Sequence, residues 1–266
     1  MRDKRNHTLL LKKLLHSSKT PLLLTSTFVS LSLFLCASST ALADVNLREG
    51  SFLTATSEVR VGRLLLMRKY NSRSMTVGAF GFGWKSDLDR TMTIPKGLKV
   101  IRDKDTHLVT EIQQRSVTRN RTWHYKYHNL DLISVSLGKV ALVKYQYDSV
   151  HNLTDILYPD GSSEKITYFT AQDQVKSYQD SKHCLESYNY DQQKWGAVFV
   201  SRTSVEHRCP ASTSSQFLTY AFWMKSLKNG TSVLFKAQIA SQKKKINLNF
   251  DRVSGQISPS NIAGEN

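Results

Sequence analysis

The sequence predicts an all-β fold, a meandering antiparallel sheet of short hairpin repeats that stays open rather than closing into a full shell. Three observations predict it. After Asp44 no long stretch has helical periodicity, whereas short alternating stretches rich in Val, Ile, Thr and Tyr recur about every ten residues. Turn residues separate those stretches, and a Tyr-x-Tyr unit returns at a near-constant interval. A length of 266 residues allows one domain or two modest ones. With 40% hydrophobic residues, 5 Pro and 12 Gly, the chain is neither a polytopic membrane protein, nor collagen-like, nor wholly disordered.

The first element, residues 1–43, reads as a secretory signal peptide. Arg2, Lys4, Arg5, Lys12, Lys13 and Lys19 make the start basic, and residues 20–43 carry no charge. The apolar run from Pro21 to Leu35 partitions into a bilayer, and Ala41 and Ala43 are small enough for the peptidase, so cleavage is expected before Asp44. Residues 20–43 are just long enough to cross a hydrocarbon core of roughly 30 Å as an uncleaved anchor, but their Ser/Thr density and Ala-Leu-Ala ending favour cleavage. Cys36 follows Leu35, where a lipobox needs a small residue, which argues against lipidation.

The strand-like stretches include Ser57 to Val61, Leu98 to Arg102, Val140 to Tyr147, Glu164 to Tyr168 and Ile246 to Phe250. Turns are expected at Pro95-Lys96-Gly97, Pro159-Asp160-Gly161, Asn229-Gly230 and Ser254-Gly255. In the middle third, Tyr125-Lys126-Tyr127, Tyr145-Gln146-Tyr147, Ile166-Thr167-Tyr168 and Tyr188-Asn189-Tyr190 end at 127, 147, 168 and 190. Each interval has room for two short strands and two turns, and such repeats bury a face only by stacking on neighbours. Aromatic residues two apart share a sheet face, which predicts a ladder across adjacent strands.

Removal of the leader removes Cys36 and leaves Cys184 and Cys209, an even pair that in an exported chain reads as a disulfide. The chemistry of catalysis is sparse. The sequence has no Gly-x-Ser-x-Gly elbow, phosphate-cradling Gly-rich loop or His-Glu-x-x-His. His124 and His128 do not converge in extended chain as they would on a helix. Asp87/Asp89 and Asp103/Asp105 read as turn acids rather than a glycosidase pair. Cys184 beside His183 points to the opposite face of a strand. The expectation is a protein without catalytic, cofactor-binding or metal residues.

Two groups of motifs carry a resemblance. Tyr145-Gln146-Tyr147-Asp148, His151-Asn152-Leu153-Thr154, Tyr158-Pro159-Asp160-Gly161 and Ile166-Thr167-Tyr168 follow one another in the order of a YD repeat. Upstream come Asn46-Leu47-Arg48-Glu49-Gly50-Ser51-Phe52, then Arg68-Lys69-Tyr70-Asn71-Ser72-Arg73-Ser74, then Gly78-Ala79-Phe80-Gly81-Phe82-Gly83-Trp84. Residues 44 to 195 thereby resemble the Rhs/YD-repeat family. His151 stands where the family's turn has Gly, which shifts the expected positive φ to Asn152, and Phe169 stands where a second Asp would fall. Gly81 and Gly83 are expected to make a tight corner from which Phe80, Phe82 and Trp84 project to one side, with Tyr70 ending the strand before it.

The resemblance divides the mature chain into a Rhs-like N-terminal β segment at 44–122, YD-like repeats at 123–195, and further strands at 196–266 ending in a polar tail. Tyr70, Asn71, Ser72, Arg73, Gly81, Gly83, Trp84, Tyr147, Asp148, Pro159, Asp160 and Gly161 are its structural residues. It implies the sheet; the family's encapsulation of a toxin does not transfer, because the chain shows neither a toxin domain nor the family's self-cleavage motif.

The expected function is an exported, non-enzymatic β scaffold in the periplasm, at the outer-membrane surface or secreted. Alternatives are a carbohydrate- or envelope-polymer-binding module and a truncated remnant of a toxin carrier. Exposed sheet edges offer pairing to another chain, which Arg60, Arg63, Lys243, Lys244 and Lys245 would discourage. The mature basic excess suits an anionic glycan or lipopolysaccharide; export argues against nucleic acid, and no small-molecule substrate is indicated. Intact-mass analysis of the exported protein is expected to show a chain starting at Asp44, and a full-length mass would refute the leader.

Overall fold

The computed structural model describes residues 42–61, 64–90, 93–117, 120–170, 172–212, 214–227, 230–242, 244–250 and 264–265. Outside them lie the leader up to residue 41, Arg63, Asn229, Lys243, the Ser254-Gly255 turn and the polar run at 258–261. Among the described residues the fold is all-β, with one 3-10 helix at Asp87–Asp89.

The chain opens with β1 (Leu42–Asn46), β2 (Ser51–Val61) and β3 (Leu64–Asn71), followed by the short β4 (Val77–Gly78), β5 (Gly81–Phe82) and β6 (Trp84–Ser86). Strands β1, β2, β3 and β6 form a four-stranded sheet in that order, and β4 pairs with β5. A fourteen-stranded sheet follows in unbroken chain order. Its first half is β7 (Leu98–Arg102), β8 (Val109–Arg115), β9 (Asn120–His128), β10 (Asp131–Leu137), β11 (Val140–Tyr147), β12 (Leu153–Leu157) and β13 (Ser163–Phe169). The second half is β14 (Gln174–Gln179), β15 (Leu185–Trp195), β16 (Val198–Arg208), β17 (Gln216–Ser226), β18 (Ser232–Ser241), β19 (Lys245–Asn249) and β20 (Gly264–Glu265). Neighbouring strands are antiparallel, and β7 does not meet β20, so the sheet is open. The long sheet begins at Leu98, inside the segment 44–122.

Each repeat is one hairpin. The Tyr-x-Tyr units occupy β9, β11, β13 and β15, and the strands between them return the chain. The aromatic ladder therefore runs across alternate strands, about 10 Å apart, rather than adjacent ones as expected. The reason lies in the period: about twenty-one residues is two strands with their turns, so a feature repeated at that interval must skip one strand. Val135, Leu153, Ile156 and Val175 of the intervening strands fill the gaps on the same buried side.

The second aromatic of each unit carries the register. The hydroxyls of Tyr147, Tyr168 and Tyr190 donate to the carbonyls of Leu132, Leu153 and Val175 at 3.0, 2.9 and 2.9 Å, each fifteen residues back. Tyr127 makes the corresponding bond to Val109, eighteen residues back, at 2.7 Å. A buried phenol needs such a partner, and here the partner is always the preceding hairpin.

The small sheet and its loops cover this tyrosine face. Phe52, Leu66, Tyr70, Phe80 and Trp84 are fully or almost fully buried and belong to one core with the residues of the long sheet. Gly50 O accepts from Val175 N at 2.8 Å, and the carbonyls of Leu47 and Arg48 accept from Thr203 and Ser201 of β16. The repeats thus bury their face against the N-terminal segment as well as against one another.

This packing fixes the response to alkali. Burial first, and nearby acids or other tyrosines after it, raise the pKa of Tyr70, Tyr125, Tyr147, Tyr168 and Tyr188 well above the usual phenol value. Above the unfolded phenol pKa of about 10 the unfolded chain releases these protons while the folded chain keeps them. Stability is then full below that pH and is lost as pH rises through it. Urea unfolding at stepped alkaline pH is expected to show midpoints level up to about pH 9 and falling steeply beyond; a midpoint insensitive to alkali would refute the burial of the ladder.

Candidate functional site

Where the two sheets meet, the interior holds a buried ion pair. Arg68 lies mid-strand in β3, and its side chain is 1% exposed; Glu58 in β2 is 3% exposed, and Nε donates to Oε1 at 2.6 Å. The register of β2 shifts between Ser57 and Val59. That extra residue lets Glu58 and Val59 both face inward, where regular alternation would have exposed one of them. Two repeat tyrosines complete the cluster: Arg68 Nη2 donates to Tyr145 Oη at 3.0 Å and Tyr125 Oη donates to Glu58 Oε2 at 2.8 Å. Arg68 Nη1 has no hydrogen-bond partner among the described residues. The guanidinium instead lies 4.2 Å from the centre of the Trp84 ring, where the π face takes the place of an acceptor. Burial by itself lowers the pKa of Arg68, but the charge of Glu58, followed by Tyr145 and the hydrogen bond to Glu58, outweighs it and raises the value.

The motif residues gather around this pair. Tyr70, next to last in β3, donates to His151 O at 3.1 Å and accepts from Leu153 N at 2.9 Å. Trp84 Nε1 donates to Tyr147 Oη at 3.0 Å. Asn71 Oδ1 accepts from Arg73 N, Arg73 Nη1 donates to Glu49 O, and Ser72 Oγ accepts from Phe52 N. Gly81 and Gly83 have φ of 100° and 75°, and a Cβ at Gly81 would lie 2.3 Å from Leu130 O, which accepts from Phe82 N. From this corner Phe80 packs on Tyr125, Phe82 on His151 and Trp84 on Tyr145.

The turn after β11 differs from expectation. His151, not Asn152, takes the left-handed conformation, with φ 69°. Its Nδ1 lies 2.9 Å from Asp131 Oδ2 and its ring stacks on Phe82 at 4.5 Å, so side-chain contacts hold what glycine would adopt freely. Asp148 caps the loop, accepting from Val150 N and Asn152 N at 3.0 and 2.8 Å. Asn152 Nδ2 is taken up by Asp148 and Asp173. The same loop recurs at Asp180, which accepts from Lys182 N and Cys184 N, each at 2.9 Å, with His183 at φ 63°. Pro159-Asp160-Gly161 turns β12 into β13, and hydrogen bonds from Ser162 lower the pKa of Asp160.

Cys184 and Cys209 form the expected disulfide, one step beyond the Leu185–Arg208 pair that ends the β15–β16 ladder. The histidine beside it is His207 rather than His183: its Nε2 lies 3.1 Å from Cys209 Sγ and its Nδ1 lies 3.4 Å from Glu186 Oε1. Tyr188 Oη donates to the other oxygen of Glu186. His207 is legible in hindsight, since residues two apart in a strand share a face.

On the opposite face of the long sheet, β8 to β11 form an open groove of about 720 Å³ lined by Lys126, Ser134, Lys139, Lys144, His124 and Glu111 among others. Register sets Lys126, Ser134 and Lys144 side by side on three strands. Glu111 is taken up by His124 at 3.6 Å, and no carboxylate partners the three lysines among the described residues. His128 is held at the β9–β10 turn by Asn129, Asp103 and Asp105 sit in an exposed turn, and Asp89 caps the 3-10 helix with Ser86.

A family model described as a domain of unknown function, DUF6531, matches residues 44–110, which hold the small sheet and the start of the long one. No curated protein matches the chain.

The ion pair gives a direct test. Arg68→Met leaves Glu58 buried without its cation and is expected to cost about 3–5 kcal/mol, whereas Arg68→Met with Glu58→Leu removes both charges and is expected to recover most of the loss. Urea denaturation of both variants measures it; equal destabilisation would mean that packing rather than charge holds the sheets.

Proposed function

We propose that this chain is an exported, non-enzymatic β scaffold of Rhs/YD-repeat type that works in the cell envelope or at the cell surface. One observation carries the reading: three successive hairpins repeat the same tyrosine-to-carbonyl bond at a fixed fifteen-residue offset. The motif residues that the resemblance singles out are spent on that architecture. Tyr70, Trp84, Tyr147 and Asp148 all direct their polar atoms to backbone or to one another. A scaffold of this kind acts through its surfaces, and the edge strand β7, which pairs with no strand on its outer side among the described residues, suits the addition of a strand from another chain.

A second reading, binding of an anionic envelope polymer, is favoured by the groove. Lys126 and Lys144 flank Ser134 at roughly 10 Å, two strand spacings, and offer cations and a hydroxyl in one row. A photo-crosslinking residue at Lys99 in β7 is expected to give a discrete protein adduct in intact cells, and one at Lys165 in mid-sheet is not. The same smear from both positions would overturn edge pairing. Retention on lipopolysaccharide that drops at least tenfold in Lys126→Ser/Lys144→Ser would favour the polymer reading instead.

A further inference from the structure

Beyond the scaffold reading, the end of the β15–β16 hairpin holds a group of side chains that the architecture does not explain. Cys184, Cys209 and His207 lie on one face, half-buried, with their ligand atoms all within 4.8 Å of one another. A ladder end pinned by a disulfide needs no imidazole. Yet His207 directs Nε2 toward Cys209 Sγ and turns its other nitrogen toward Glu186, whose second oxygen is held by Tyr188. A carboxylate behind the distal nitrogen of a histidine is the arrangement that fixes the tautomer and orientation of a metal-ligating imidazole.

We propose that Cys184, Cys209 and His207 form a redox-gated zinc site, closed as a disulfide when oxidised and able to hold one Zn²⁺ when reduced. A dithiol reductant opens it: one of its thiolates attacks a cysteine sulfur, its second thiol resolves the mixed disulfide, and the reductant leaves as a cyclic disulfide. Two electrons thereby pass to Cys184 and Cys209, which become thiols. Zn²⁺ then displaces the two thiol protons and takes both thiolates, with His207 Nε2 as third ligand and Nδ1–H donating to Glu186. Zn–S bonds of about 2.3 Å and a Zn–N bond of about 2.0 Å require the two sulfurs, freed by reduction, to part from bonding distance to about 3.8 Å, and a fourth position is left for water. Thiolate pairs with imidazole select zinc over calcium or magnesium. In either state the same two strands stay joined at the same place.

The test uses Co²⁺ as the spectroscopic probe on the mature chain, reduced with a dithiol and desalted. One Co²⁺ per chain is expected, with a thiolate-to-cobalt charge-transfer band that Zn²⁺ abolishes, while the oxidised chain gives none. His207→Ala is expected to weaken Co²⁺ at least tenfold, and Glu186→Gln by about 10–100-fold. Circular dichroism separates binding from unfolding: if the reduced chain loses strand signal, one equivalent of Zn²⁺ must restore it. No band from the reduced chain, a reduced chain that Zn²⁺ does not restore, or unchanged affinity in His207→Ala would each overturn the site.

Discussion

The fold depends on one buried ion pair. Arg68 and Glu58 come from the small sheet, Tyr125 and Tyr145 from the large one, and together they satisfy all but one of the polar atoms that this contact would otherwise strand. A buried ion pair is weak evidence of net stability, because desolvation takes back much of its Coulomb energy. Its effect here is on specificity. Only one register of the repeats against the N-terminal sheet brings both phenols to the pair, and a slip of one residue would turn them to the opposite face. Leaving either charge unpaired in that interior is costly, so the pair penalises misdocking more than it rewards docking.

From that fixed point the repeat hydrogen bonds propagate outward. Each ladder tyrosine ties its strand to the hairpin before it, so the register set at β9 and β11 passes to β13 and β15. Where the motif lapses, the interior compensates. Ile166 replaces a tyrosine, and the nearby Glu164, 7% exposed, accepts from Tyr158 and Tyr178 at 2.8 Å each. A hydroxyl network is maintained with different donors, which is how a repeat tolerates drift without leaving buried polar atoms unpaired.

Much of this was readable in sequence. Alternation and turn residues place β7 and β11 at their observed bounds and β13 and β19 within one residue, because a period of two and a glycine at positive φ are local properties, whereas β2 starts at Ser51, well before the expected Ser57. The disulfide was readable because the two cysteines that follow the expected leader leave one pairing. Glu58 and Arg68 were not: a glutamate and an arginine ten residues apart look like surface charge, and only the bulge at Ser57 to Val59 turns Glu58 inward. Nor was the pairing of His207 with Glu186, since that contact depends on where β15 and β16 come into register.

By itself the sequence determined the strand character, the hairpin period and the motif corner at Gly81 to Trp84, which follow from interactions between near neighbours, and the cysteine pair, because two cysteines after the expected leader leave one pairing. The tertiary structure alone decided that His151 takes the left-handed turn against Phe82 and Asp131. It also decided that the N-terminal sheet covers the repeats. Those outcomes depend on groups twenty to more than a hundred and fifty residues apart, such as Thr203 against Leu47. No local preference encodes such pairs; they form because one packing of the two sheets satisfies the buried polar atoms on both sides.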